Sequence, residues 1–104
     1  MGRIELDYRK AINQAEKFEE MATKLEDISE NKMEDIMNSV AMNWTGNTSN
    51  MYCNKGRKLG QDIGQTARNL RDIASDIRTV ANRVREAERR AEELARKRTY
   101  GNGI

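Results

Sequence analysis

The chain has no histidine and no proline, holds a single cysteine, and draws only 5% of its 104 residues from Phe, Trp and Tyr. Each shortage excludes something. Without His there is no His-based catalytic triad, no imidazole proton shuttle and no His-ligated metal. One thiol, Cys53, closes no intrachain disulfide and falls short of the four ligands of a structural zinc site. It reads as a small helix residue. No run of 18 apolar residues occurs, so no helical segment is suited to spanning a bilayer. The start, Met1-Gly2-Arg3-Ile4-Glu5-Leu6-Asp7, lacks the apolar core and small-residue site of a cleavable signal peptide. Leu6 stands where a myristoylation signal needs Ser or Thr. The missing proline has the opposite force: nothing interrupts long helices.

What is present fits that permission. Charged residues make up 35% and hydrophobic ones 37%, with a lean to Ala, Glu, Arg, Lys, Leu and Ile. With helical periodicity, such a composition describes long helices or a coiled coil, in one small domain. The pattern stops in one place, Asn43-Trp44-Thr45-Gly46-Asn47, which holds the sole Trp. Gly ends a helix by adopting positive φ, and Asn or Thr can cap the next one. A Trp beside such a turn plugs the end of a helix pair on the plainest reading.

Before the turn, Ile4, Tyr8, Ala11, Ala15, Phe18, Ala22 and Leu25 alternate spacings of four and three, a heptad rhythm. Ile12, Met21 and Ile28 widen the stripe, as in a helix that touches two or more neighbours. The rhythm falters over Ser29-Glu30-Asn31-Lys32 and resumes with shifted phase at Met33, Ile36, Met37, Val40 and Ala41. A stutter or bend is expected there. The adjacent acids Glu19-Glu20, Glu26-Asp27 and Glu34-Asp35 lie largely off the stripe and read as a solvated face. After the turn the series runs unbroken through Tyr52, Gly56, Leu59, Ile63, Thr66, Leu70, Ile73, Ile77, Val80, Val84, Ala87, Ala91 and Leu94. Gly56, Gly60 and Gly64 each cost roughly 1 kcal/mol of helix propensity against Ala. Their common stripe points to close approach of another helix, as do Ala67, Ala74 and Ala81.

The predicted fold is therefore all-α, an antiparallel helical hairpin over residues 1–98 with its turn near 43–47 and a flexible tail at 99–104. The first helix begins near Glu5 and the second between Asn47 and Asn50. At ~1.5 Å per residue the second overshoots the first, which puts residue 5 beside the mid-80s and leaves Glu88 to Arg98 without an intrachain neighbour. Charge supports the pairing: residues 1–43 sum to −4 and residues 44–104 to +6. A lone hairpin of this length cannot cover its own apolar stripes, so it is expected to pair, as a homodimer or heterodimer, into a four-helix bundle. Phe18, Leu25, Leu59, Ile63, Leu70 and Ile77 are the candidate dimer or partner interface.

Chemistry is sparse. Gly56, Gly60 and Gly64 lack the Gly-Lys-Ser/Thr ending of a phosphate loop and lie inside a helix. No nucleophile is paired with a base, and the chain reads as a non-enzyme needing no cofactor and no metal. Arg83, Arg85, Arg89, Arg90, Arg96, Lys97 and Arg98 give a basic end that suits phosphates. Glu86, Glu88, Glu92 and Glu93 interrupt it, with Glu86–Arg90, Glu92–Arg96 and Glu93–Lys97 in i,i+4 order. Stacking aromatics are lacking as well, so nucleic-acid binding is the weaker alternative and a cytosolic coiled-coil interaction module the stronger one.

A chain of this length with two helical halves and Trp44-Thr45-Gly46 between them resembles the WXG family of small helical-hairpin proteins of type VII (ESX-like) secretion. The resemblance covers nearly the whole chain. It implies antiparallel pairs exported folded, without a cleaved signal, and hence a cytoplasmic stage followed by secretion. It also makes Trp44 and Gly46 turn and secretion-motif residues. The implied partners are a related hairpin, a larger secreted effector with a helical N-terminal region, and the secretion ATPase, with no nucleic acid and no stable membrane insertion. The family's tail signal, Tyr followed four residues later by an acid, is not met: Tyr100 leads to Ile104, Tyr8 to Ile12 and Tyr52 to Gly56. That departure suits a partner or adaptor lacking its own signal.

Overall fold

The computed structural model describes residues 2–102, with side chains described for Glu5 and for residues 7–98. Two helical arms lie antiparallel in a rod 88 Å long and under 20 Å across. The first arm comprises α1 (Gly2–Asp27), one π-helical turn (Ile28–Lys32) and α2 (Met33–Asn43). The second is a single helix, α3 (Gly46–Asn102). It starts at Gly46, earlier than the Asn47–Asn50 expected. It also runs on past Arg98, so residues 99–102 of the expected tail are helical, while Gly103 and Ile104 lie outside the described residues. No strand occurs among the described residues.

The arms meet along small side chains. On α1, Ala15 and Ala22 are fully buried, and on α3 so are Ala67 and Ala74, with Ala81 nearly so. The spacing of seven continues as Cys53 and Gly60 on α3 and as Tyr8 and Ser29 on the first arm. This line, and not the larger Leu59–Ile73–Val80 series beside it, faces α1. Small residues let the helix axes approach closely, and one residue of offset turns a side chain by about 100° around the helix. Among the described residues no large side chain is fully buried.

Both shoulders of the line follow from the same geometry. Glu19 lies four residues after Ala15, and Arg78 four after Ala74, so they flank the line on one side. There Glu26 pairs with Arg71, Glu19 pairs with Arg78 at 2.8 Å, and Glu5 meets Arg85 Nε at 3.2 Å and Arg89 at 3.8 Å. Glu19 and Glu26 are thus ion-pair partners and not members of a purely solvated face. Ile12 occupies the rung where another acid would continue the ladder. Arg85 instead lies 4.3 Å over the Tyr8 ring, whose hydroxyl donates to Asn82 Oδ1 at 3.1 Å. Glu5 beside Arg85 and Arg89 matches the expected register and overshoot of α3, although α1 begins at Gly2, three residues before the start expected near Glu5.

The expected stutter is the π turn. The Met33 N–H donates to the Ile28 carbonyl, five residues back, which inserts one extra residue into the turn. Everything after it rotates, so Met33 and Met37 turn inward while Ile36 is 56% exposed. Opposite the π turn lie the three glycines. A Cβ on Gly56 would sit 3.1 Å from Met37 Cγ and Sδ, and one on Gly64 would sit 3.1 Å from Ser29 Oγ. Ser29 Oγ donates to the Gly60 carbonyl at 2.6 Å, fixing the π turn to α3.

Two outcomes are expected from this packing. A Cβ on Gly60 meets only ordinary contacts at 3.6–3.8 Å. Gly60→Ala should therefore stabilise the helix by about 0.5–1 kcal/mol, whereas Gly64→Ala, forced against Ser29 Oγ, should gain less or lose; urea unfolding midpoints rank the two. The second outcome concerns acid. Hydrogen bonds from Arg78 and Arg71 hold the Glu19 and Glu26 carboxyls below their ordinary pKa, with desolvation opposing. Their pairing stabilises the fold above the usual carboxylate range and is lost as pH falls through their lowered values. The melting temperature should drop on acidification below the ordinary carboxylate pKa, less so in high salt and less so in a Glu19→Gln/Glu26→Gln variant.

Candidate functional site

Two features carry the candidate site residues: the turn, and the apolar shoulder opposite the ion pairs. At the turn, α2 ends at Asn43 and Trp44 takes an extended backbone, φ −115° and ψ 146°, its N–H donating to the Val40 carbonyl at 2.8 Å. Gly46 has φ +79°, the one positive φ among the described residues, and opens α3. Only Trp44 and Thr45 lie between the helices, so the reversal is tighter than residues 43–47. The Trp44 ring is 43% exposed and stands edge-on to Tyr52, with centroids 4.8 Å apart and planes at 83°. It is an exposed face at the end of the rod and not a buried plug. Met42 and Met51 are also exposed at this end. None of residues 36–54 is charged, in a chain where 35% are. That gap was open to sequence inspection; the Tyr52 contact was not, because it depends on where α3 starts.

The second feature runs the length of the hairpin. Phe18 and Leu25 lie three residues after Ala15 and Ala22, and Ile77 three after Ala74, on the side away from the ion pairs. Phe18, Leu25, Ile63, Leu70 and Ile77 are half-buried, and Leu59 is 52% exposed. Ile73, Val80 and Val84, outside the candidate interface set, are exposed on the same side. Toward the open end these residues wall a groove of about 520 Å³ between Tyr8 and Ala11 of α1 and Ile73, Ile77, Val80 and Val84 of α3, with Asp7, Asp76 and Arg85 at its edges. Cys53, half-buried, directs Sγ to the Met37 carbonyl at 3.8 Å. Of the basic end, Arg85 and Arg89 are engaged by Glu5. Among the described residues, the i,i+4 pairs Glu86–Arg90, Glu92–Arg96 and Glu93–Lys97 do not close as ion pairs.

These features define a class: a small antiparallel helical hairpin with a W-x-G reversal and one apolar face open. The family model WXG100, described as proteins of 100 residues with WXG, matches residues 3–89. The chain belongs to that family, whose members are small helical proteins of type VII secretion. No match is found among curated proteins or among solved structures. No helix of the described residues is long and apolar enough to cross a membrane.

The turn can be tested residue by residue. Nothing lies within 4 Å of a Cβ placed on Gly46, so Gly46→Ala should cost only its backbone strain, about 1–2 kcal/mol. Gly46→Asn should recover part of that loss. Trp44→Ala, Tyr52→Ala and the double variant should give a coupling of about 0.5–1.5 kcal/mol in chemical denaturation. Additive losses would mean that the edge-on contact contributes nothing.

Proposed function

We propose that this chain is a non-enzymatic type VII secretion substrate or partner that acts by helix–helix association. It pairs through its open apolar face with a related hairpin, forming a four-helix bundle. The observation that carries the reading is the mismatch between the two lines of α3. The hairpin covers its alanines and leaves Leu59, Ile73, Val80 and Val84 exposed. Burying a large aliphatic side chain is worth ~1.5–3 kcal/mol, against ~0.8 for one methyl. Most of the hydrophobic free energy that the sequence holds is therefore released only on association. Phe18, Leu25, Leu59, Ile63, Leu70 and Ile77 serve as the interface, as either a homodimer or a heterodimer.

The turn end takes a second role. Trp44 and Gly46 shape an uncharged, aromatic end that a secretion ATPase or an effector with a helical N-terminal region can recognise. With no acid four residues after any of its tyrosines, the chain travels as the partner or adaptor of a protein carrying that signal. Its route is export from the cytoplasm in the folded, paired state.

Size-exclusion chromatography with light scattering on the purified chain should give a species of twice the 12.0 kDa chain mass, or a poorly folded monomer rescued by a helical partner. A well-folded solitary monomer would sink the reading. Trp44→Ala should keep the helical spectrum and the pairing while lowering export by the type VII apparatus. Unchanged export would confine Trp44 to shaping the turn.

A further inference from the structure

Sulfur is unevenly placed in this chain. Of its six methionines and one cysteine, Met33, Met37, Met42, Met51 and Cys53 all fall where the two arms fold back on each other. Met42 and Met51 are exposed at the tip. The other three turn into one groove. Met33 and Met37, four residues apart, share the inner face of α2. Cys53 stands opposite on α3, its Sγ 3.8 Å from the Met37 carbonyl oxygen. All three line a groove of about 610 Å³ that also takes in Gly56. Met33 is buried, while Met37 and Cys53 are half-buried and open to the groove.

Gly56 leaves the room. A Cβ there would sit 3.1 Å from Met37 Sδ and 3.7 Å from Met33 Cε. Both thioether ends thus converge on a point, about one helical turn from Cys53, that any other residue would fill. Methionine side chains are unbranched and flexible, so the sulfurs can close on one ion without moving the backbone.

The donor set is selective. One thiol is too few for a structural zinc site, but a thiolate with two thioethers is a soft set that favours Cu(I). A monovalent cation on one thiolate is neutral overall, which matches its surroundings, since none of residues 36–54 is charged. Glu30 and Glu34 line the same groove toward the π turn. Among the described residues, however, no three His, Cys, Asp or Glu side chains come together, so a hard divalent cation has no comparable site.

We propose that Met33, Met37 and Cys53 form a binding site for a soft monovalent cation, Cu(I), bridging the two arms beside the turn. The thiol releases its proton to solvent as the sulfur takes the metal, and no electron is transferred. The ion ties α2 to α3 at Gly56 and stabilises the hairpin by binding its folded state. The site lies within one chain and does not depend on the pairing reading above.

Anaerobic titration of the whole chain with Cu(I), held reduced by ascorbate and competed against a chromogenic Cu(I) chelator, tests the site. The chain should take up one Cu(I) per molecule, melt at a higher temperature when loaded, and prefer Cu(I) to Zn(II). Cys53→Ser should abolish uptake. Met33→Leu and Met37→Leu nearly conserve side-chain volume and should keep the helical spectrum. Each should weaken binding by at least roughly tenfold, since even groups that only support metal ligands are worth that much. Gly56→Ala, which removes no donor, should weaken it too by crowding Met37 Sδ. Met42→Leu and Met51→Leu should bind as the parent does. Loss in Cys53→Ser with unchanged affinity in both Met33→Leu and Met37→Leu would reduce the site to a free thiol and overturn the proposal. One Cu(I) per two chains, or no uptake, would overturn it as well.

Discussion

Close approach of two helices along alanine and glycine is the constraint from which the rest of this structure follows. Ala15 and Ala22 against Ala67 and Ala74 bring the backbones together, leaving no room for a Leu or Ile on the contact line itself. Larger side chains are displaced to the shoulders by steps of three or four residues. One shoulder received acids on α1 and arginines on α3, the other aliphatics on both. The hairpin is held in register by the first and left incomplete by the second.

The turn end obeys the same constraint by other means. Past Ala22 and Ala67 the small line passes to Ser29 and Gly60, where the Ser29 hydroxyl reaches the Gly60 carbonyl. A hydroxyl that close leaves little clearance for a Cβ at Gly64 on the facing helix, whereas Gly60, whose carbonyl accepts the bond, has room for one. The extra residue of the π turn then rotates α2 so that the flexible thioethers of Met33 and Met37 fill the space beside Gly56. The helix-propensity cost of Gly56 and Gly64 is thus tied to specific contacts. The same rotation places α2 so that two residues, Trp44 and Thr45, suffice to reverse the chain.

Much of this was legible in the sequence because it depends on spacing alone. The reversal at Trp44–Gly46, the phase slip after Ile28, the tight approach at Gly56, Gly60 and Gly64 and the overshoot of the second arm all follow from periodicity and helix rise. What was not legible depends on a rotation of one residue. Leu59 and Gly60, or Ile73 and Ala74, are neighbours in sequence, and either line fits a heptad. Only the packed structure shows that the smaller one faces α1 and the larger one is left outside. The pairings Glu19–Arg78 and Glu26–Arg71 were hidden for the same reason, since each acid looked solvated until the register was fixed. Of the turn residues, Trp44 and Gly46 stood out by type, while Tyr52 became part of the site only through its contact with the indole.

Directionality follows from how unlike the two shoulders are. The ion-paired side has already matched its charges, and a partner approaching there would have to break contacts between partly exposed groups for little return. The aliphatic side offers large side chains still in water, and covering them returns far more than the alanine seam can. An incoming helix therefore has one favourable side to choose. Because the seam that holds the hairpin together is so thin, any molecule that covers that side would add its binding free energy to the stability of the arms.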